Sequence, residues 1–313
     1  TIERSAFESC WKLIDVSMPS TVSAIGQEAF AGCEELTNIT IPEGITTIKS
    51  GTFNSCRKLT SVTLPSTLKT IEERAFLRSG LTSIEIPEGV TTIGDMAFGW
   101  MGDKGLNVDG VDPIPLTYVK LPESLVYIGW AAFANTSLTE VIIPEGITEI
   151  PEGAFYYCKS LKKVVFPQSL KEIGAYSFIN TSLTEVIIPE GVTEISEEVF
   201  YCCKSLKKVA LPQSLKAIRP YAFAKTGVEN IALPKAVTSL DRSVFSNCQN
   251  LKEVYVPAGV KNLKENMFWN CNNQLKIYYA GAEGTVKVDE ALKDKMEYGV
   301  SASATTSLFN LFG

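Results

Sequence analysis

Phenylalanine recurs along this chain of 313 residues with a nearly constant step. Phe7, Phe30, Phe53, Phe76, Phe98, Phe133, Phe155, Phe178, Phe200, Phe223, Phe245 and Phe268 lie 22 or 23 residues apart, with one longer step of 35. A period of that length predicts a solenoid, in which each coil buries its apolar edge only against its neighbours. Such an array grows in one dimension. Its length therefore does not imply two globular domains.

One repeat explains itself physically. The unit from Phe53 runs through Cys56, Leu59, Val62, Leu64, Pro65, Leu68 and Ile71. The unit from Phe155 matches it with Cys158, Leu161, Val164, Phe166, Pro167, Leu170 and Ile173. Val62 and Leu64 are two apart, the period of a strand with one buried face. Pro65 then ends the strand, because it fixes φ and offers no N–H. Pro19, Pro42, Pro87, Pro122, Pro144, Pro189, Pro212, Pro234 and Pro257 share that slot, often followed by Glu-Gly. Leu68 and Ile71 point inward from a second short segment. A single coil buries too little to offset its ordering entropy, so continuous strand ladders and a shared core are expected.

The corner after each Phe comes in two lengths. Units with Cys three residues on (Cys10, Cys33, Cys56, Cys158, Cys203, Cys248) are 23 long. The uninterrupted units from Phe76, Phe133, Phe178 and Phe223 lack that Cys and are 22 long. Cys158, Cys203 and Cys248 sit on alternate coils, about 10 Å apart, beyond the roughly 7 Å Cα reach of a disulfide. The slot cysteines are expected as buried free thiols, and Cys202 falls outside the slot. Asn135-Thr136-Ser137 and Asn180-Thr181-Ser182 match a glycosylation sequon but read as short-corner turn chemistry.

Composition removes several function classes. Net charge is -6, from 29 basic and 35 acidic residues, without the basic clustering that a nucleic-acid grip needs. Histidine is absent, and with it the usual general base, zinc ligand and pH switch. No apolar run reaches the roughly 18 residues of a membrane span. The chain opens inside a repeat, at Thr1-Ile2-Glu3, as a mature or trimmed fragment would.

The blocks of Ala29-Phe30-Ala31-Gly32-Cys33 through Ile39-Thr40-Ile41-Pro42 to Ile48 resemble the BspA-type leucine-rich repeats of bacterial surface proteins. The resemblance covers residues 1 to about 271. It implies a right-handed leucine-rich-repeat superhelix of about 12 repeats, with a concave parallel β-sheet and a β/3-10 convex side. It also implies a secreted or surface-attached protein with roles in adhesion and protein binding. The family brings no catalytic residues and no cofactor. The domain reading is a solenoid over residues 1–274, with an insertion at 99–115, and a capping segment with a flexible tail at 275–313.

The outward residue of each strand is the best ligand candidate. That column reads Ser17, Thr40, Thr63, Glu85, Lys120, then Ile142, Val165, Ile187, Ala210, Ala232, Tyr255. Its second half is apolar, which calls for a reason in a solvent-facing stripe. Plain strand propensity is the competing explanation. So is recent duplication, since residues 136–180 and 181–225 agree at 32 of 45 positions. A neighbouring column, Glu140, Lys163, Glu185, Lys208, Asn230 and Glu253, alternates in sign as a register-fixing ladder would.

The insertion offers Trp100 and Met101 as a partner-contacting lobe, or is simply a tolerated loop. Its Asp103, Asn107, Asp109 and Asp112 are oxygen ligands, but not at EF-hand spacing. In the tail, Leu275 to Tyr279 reads as a last strand and residues 289–296 as weakly helical. Residues 301–307 read as flexible, and the apolar residues 308–312 as tucked against the cap. The expected function is a non-catalytic surface or secreted module that binds a protein of a host or neighbouring cell. A passive spacer is the alternative, and a carbohydrate-active enzyme a remoter one.

Overall fold

The computed structural model describes residues 1–102 and 111–301. The chain divides into two compact units, Thr1–Pro167 and Gln168–Gly313. Each is a parallel β-solenoid, and the described residues contain no α-helix.

In the first unit the coils from Phe30 onward carry a three-residue strand followed by a two-residue strand. The three-residue strands are β1 (Asn38–Thr40), β3 (Ser61–Thr63), β5 (Ser83–Glu85), β7 (Tyr118–Lys120), β9 (Glu140–Ile142) and β11 (Lys163–Val165). The two-residue strands are β2 (Thr47–Ile48), β4 (Thr70–Ile71), β6 (Thr92–Ile93), β8 (Tyr127–Ile128) and β10 (Glu149–Ile150). The rings of Phe7, Phe30, Phe53, Phe76, Phe98, Phe133 and Phe155 stack in one column, centroids 5.2 to 5.6 Å apart and planes within 14°. That spacing follows from the distance between neighbouring strands.

The second unit repeats the scheme. It holds β12 (Glu172–Ile173), β13 (Glu185–Ile187), β14 (Glu194–Ile195), β15 (Lys208–Ala210), β16 (Ala217–Ile218), β17 (Asn230–Ala232), β18 (Ser239–Leu240), β19 (Glu253–Val256) and β20 (Asn262–Leu263). Phe178, Phe200, Phe223, Phe245 and Phe268 stack at 5.5 to 5.8 Å. Three further strands follow, β21 (Lys276–Tyr279), β22 (Lys287–Val288) and β23 (Met296–Tyr298), with short 3-10 turns at Glu265–Phe268 and Glu290–Lys295. Coil-like pairing thus runs beyond the strand expected to be last: β19, β21 and β23 form one parallel ladder, and β20 pairs with β22. The 289–296 segment is a 3-10 turn and a strand. Buried Tyr279 donates its hydroxyl to Val260 O at 3.1 Å. Residues 302–313, which include the expected apolar end, lie outside the described residues.

The slot thiols act between coils. Cys33 and Cys56 donate S–H to Phe7 O and Phe30 O of the coil before, at 3.2 and 3.1 Å. Cys203, Cys248 and Cys271 do the same to Phe178, Phe223 and Phe245 in the second unit. In short corners a buried threonine uses that carbonyl too: Thr136 and Thr226 hydroxyls donate to Phe133 O and Phe223 O at 2.8 Å. Cys10 departs from the expectation. It is exposed.

The expected continuous ladder is also corrected. The two-residue strands pair without a break from β2 to β8, and from β14 to β18. The three-residue strands pair only in sets: β1 with β3, β5 with β7 and β9 with β11, then β13 with β15 and β17 with β19. Within the units the ladder breaks between β3 and β5, β7 and β9, and β15 and β17. Each break falls on entry to a short-corner coil. Ser61 stands eight residues after Phe53, but Ser83 stands only seven after Phe76. The shorter corner is tied to the corner of the coil before, with Gly80 N–H bonded to Cys56 O at 3.1 Å. The strand of a short-corner coil thus begins one residue sooner after its Phe than the strand of a long-corner coil.

Candidate functional site

Within each three-residue strand the middle side chain enters the core and its flanks face out, as the pleat requires. In the first unit, register sets Ile142 beside Val165 and Glu140 beside Lys163. Ile142 is 62% exposed and Val165 39%. On the preceding pair, exposed Tyr118 faces Ser83, and Lys120 faces Glu85. In the second unit, exposed Ile187 stands beside half-buried Ala210, and Glu185 beside Lys208. Ala232 is half-buried beside Tyr255.

A cleft of about 270 Å³ opens where β7 and β9 fail to pair. Tyr118, Lys120, Leu121, Glu123, Glu140 and Ile142 are among the residues that line it. In paired coils the N–H after the strand bonds to the next coil: Ile86 to Lys120 O and Ile143 to Val165 O, each at 3.0 Å. Among the described residues no such bond joins Leu121 N–H to Ile142 O. The break thus leaves peptide groups beside an exposed aromatic ring and two carboxylates.

A family model for the BspA type leucine rich repeat region matches six copies over residues 1–103, 113–201 and 171–285. The chain belongs to the BspA-type leucine-rich repeat family. No curated protein matches it. Among solved structures, a leucine-rich repeat protein from Bacteroides ovatus is 28% identical, covering 92% of this chain and 87% of its own, with a TM-score of 0.63. A leucine rich cell surface protein from Faecalibacterium prausnitzii is 25% identical, over 99% and 72% of the two chains, with a TM-score of 0.47. The pneumococcal vaccine antigen PcpA is 20% identical, over 87% and 68%, with a TM-score of 0.45.

Not every expected contact residue of this BspA-type repeat faces solvent. Tyr255 is only 8% exposed, with Ala232 on one side in register and the ring of Tyr278 on the other. Burial pushes its phenol up. Met101 is wholly buried, its side chain lying over Gly153, so it belongs to the core and not to a binding lobe. Trp100 is half-buried with the Arg78 guanidinium 3.7 Å above its ring. Of the insertion's oxygen ligands, Asp103, Asn107 and Asp109 lie outside the described residues. Asp112 is exposed, and its main-chain oxygen accepts from Asn135 Nδ2 at 3.4 Å. Among the described residues no group of three Cys, Asp or Glu side chains is placed to hold a metal. None of their helices is long and apolar enough to cross a membrane.

Two features of the leucine-rich repeat escaped the reading of the sequence. Tyr118 starts its strand two positions before the column of candidates, and an aromatic at an outward strand position was its signal. The Glu of Pro-Glu-Gly is a clamp between coils. Glu43 accepts from Ser66 N–H and Oγ–H, both at 3.0 Å, and Glu190 from Gln213 N–H at 2.8 Å. Those backbone hydrogen bonds pull the Glu43 and Glu190 carboxyls below their ordinary range. The adjoining glycine N–H bonds to a hydroxyl of the next turn: Gly44 to Thr67, Gly89 to Ser124, Gly191 to Ser214. No single repeat shows the pattern, because donor and acceptor lie one coil apart.

Proposed function

We propose that this chain is a non-catalytic recognition module that binds a protein through its three-residue strands, at the bacterial surface or after secretion. One observation carries the reading: Ile142 and Val165 stand exposed side by side in register, in the company of exposed Tyr118. Unpartnered aliphatic and aromatic side chains on a rigid sheet are the usual material of interface cores. Exposed Ile187 supports the same reading in the second unit. Residues 275–301 are proposed as the segment that closes the core after the last Phe corner.

The exposed aliphatics of the strands are all β-branched, which favours one other reading, a spacer whose face reflects strand propensity alone. The triple variant Ile142→Ser, Val165→Ser, Ile187→Ser separates the two. Its fold is expected to survive, since all three side chains are outside the core. Capture of partner protein from host-cell or neighbouring-cell extracts is expected to fall at least about tenfold, or about 1.4 kcal/mol. Undiminished capture would remove these strands as the contact surface.

A further inference from the structure

We propose that the cleft between β7 and β9 seats one arginine side chain from an extended basic segment of the partner. This rests on the protein-binding reading and names the chemistry recognised. Size is the first argument. At about 270 Å³ the cleft falls below the roughly 300–1,000 Å³ typical of small-molecule sites, and suits one long side chain. Its walls are the second. The Tyr118 ring and the Ile142 side chain line opposite strands, so the ring can face a cation while both pack an aliphatic stem.

Charge is the third argument. The Glu123 and Glu140 carboxylates are exposed in the cleft wall, and among the described residues neither closes an ion pair or accepts a side-chain hydrogen bond. Lys163 faces Glu140 in register without pairing with it. The cation that lines the cleft, Lys120, is drawn to Glu85 across the other side at 3.9 Å. Two carboxylates outside any ion pair, and an Ile142 carbonyl that takes no bond from Leu121 N–H, ask for a group that only donates. Guanidinium does so through five N–H groups in a rigid fork, where an ammonium offers a point charge. Leu121 N–H remains to meet a carbonyl of the same extended segment.

The test is an amide-resolved NMR titration of the full chain with a capped Gly-Ser-Arg-Ser-Gly peptide and its citrulline counterpart, which keeps shape and loses charge. Saturable shifts are expected at Tyr118, Leu121 and Ile142 for arginine, with citrulline at least about tenfold weaker. Glu123→Gln with Glu140→Gln should abolish the difference, and Lys120→Gln should tighten arginine binding. Equal binding of citrulline, or no saturable shift at these amides up to about 10 mM, overturns the proposal. A photo-crosslinker at Val165 that captures protein while the cleft stays silent would sink the arginine seat alone. Cleft shifts without any captured protein would support the seat and count against the wider face.

Discussion

Cys33, Cys56, Cys158 and Cys203 hold their protons for the same reason that they pack well. Burial pushes the first and third thiols up to about 11, and the second and fourth up to about 12. The thiolate is the reactive form, so these groups are inert near neutral pH. Exposed Cys10 and half-buried Cys202 are different. A disulfide-exchange reagent on the native protein should titrate Cys10 first and Cys202 more slowly. All eight cysteines should react after denaturation. Rapid native labelling of Cys56 or Cys203 would contradict the packing. The thiol slot was legible because it repeats. The positive φ two residues before and after most of these Phe was not, because residues such as Arg74, Arg78, Tyr221 and Lys225 occupy it and carry no glycine signal.

Short corners decide how elements join. A Cβ on Gly80 would sit 2.3 Å from Arg57 O, and one on Gly227 2.3 Å from Lys204 O. Both contacts are with backbone, which cannot step aside. Gly80→Ala or Gly227→Ala should each cost about 1–3 kcal/mol, measured by denaturant unfolding. The broken ladders make a second prediction. Leu64, Leu121 and Leu211 have no cross-coil bond of the kind that Ile41, Ile86, Ile143, Ile188 and Leu233 make at 3.0 Å. Their amides should exchange with solvent faster, on the order of tenfold or more. The two corner lengths were visible in the Phe spacing, and with them the alternation of coil types. Their effect on pairing was not visible. It depends on how a one-residue difference places peptide planes in the next coil, which no periodicity encodes.

At the scale of the molecule, acid should act through the coil clamps. Hydrogen bonds lower the Glu43 and Glu190 carboxyls in the folded state. Unfolding therefore binds protons as pH falls, and the stabilisation present above the free-glutamate value is lost below it. Glu43→Gln with Glu190→Gln should melt lower than the parent at pH 7, and the gap should close below about pH 4. A gap that persists in acid would place the effect elsewhere. The solenoid and its family were legible from twelve aligned phenylalanines and the proline slot. The candidate site was legible only where a side chain's exposure follows from strand alternation, as for Ile142, Val165 and Ile187. Tyr255 and Met101 failed because neighbouring coils and a glycine opposite set their burial.

The internal duplication spans 45 residues, one short corner plus one long. That is also the stretch holding a matched couple, β9 with β11 or β13 with β15. The repeated block therefore carries a complete paired couple and not a single phenylalanine period. By the same rule, a coil added with a long corner extends the ladder it joins, and one added with a short corner begins a new one.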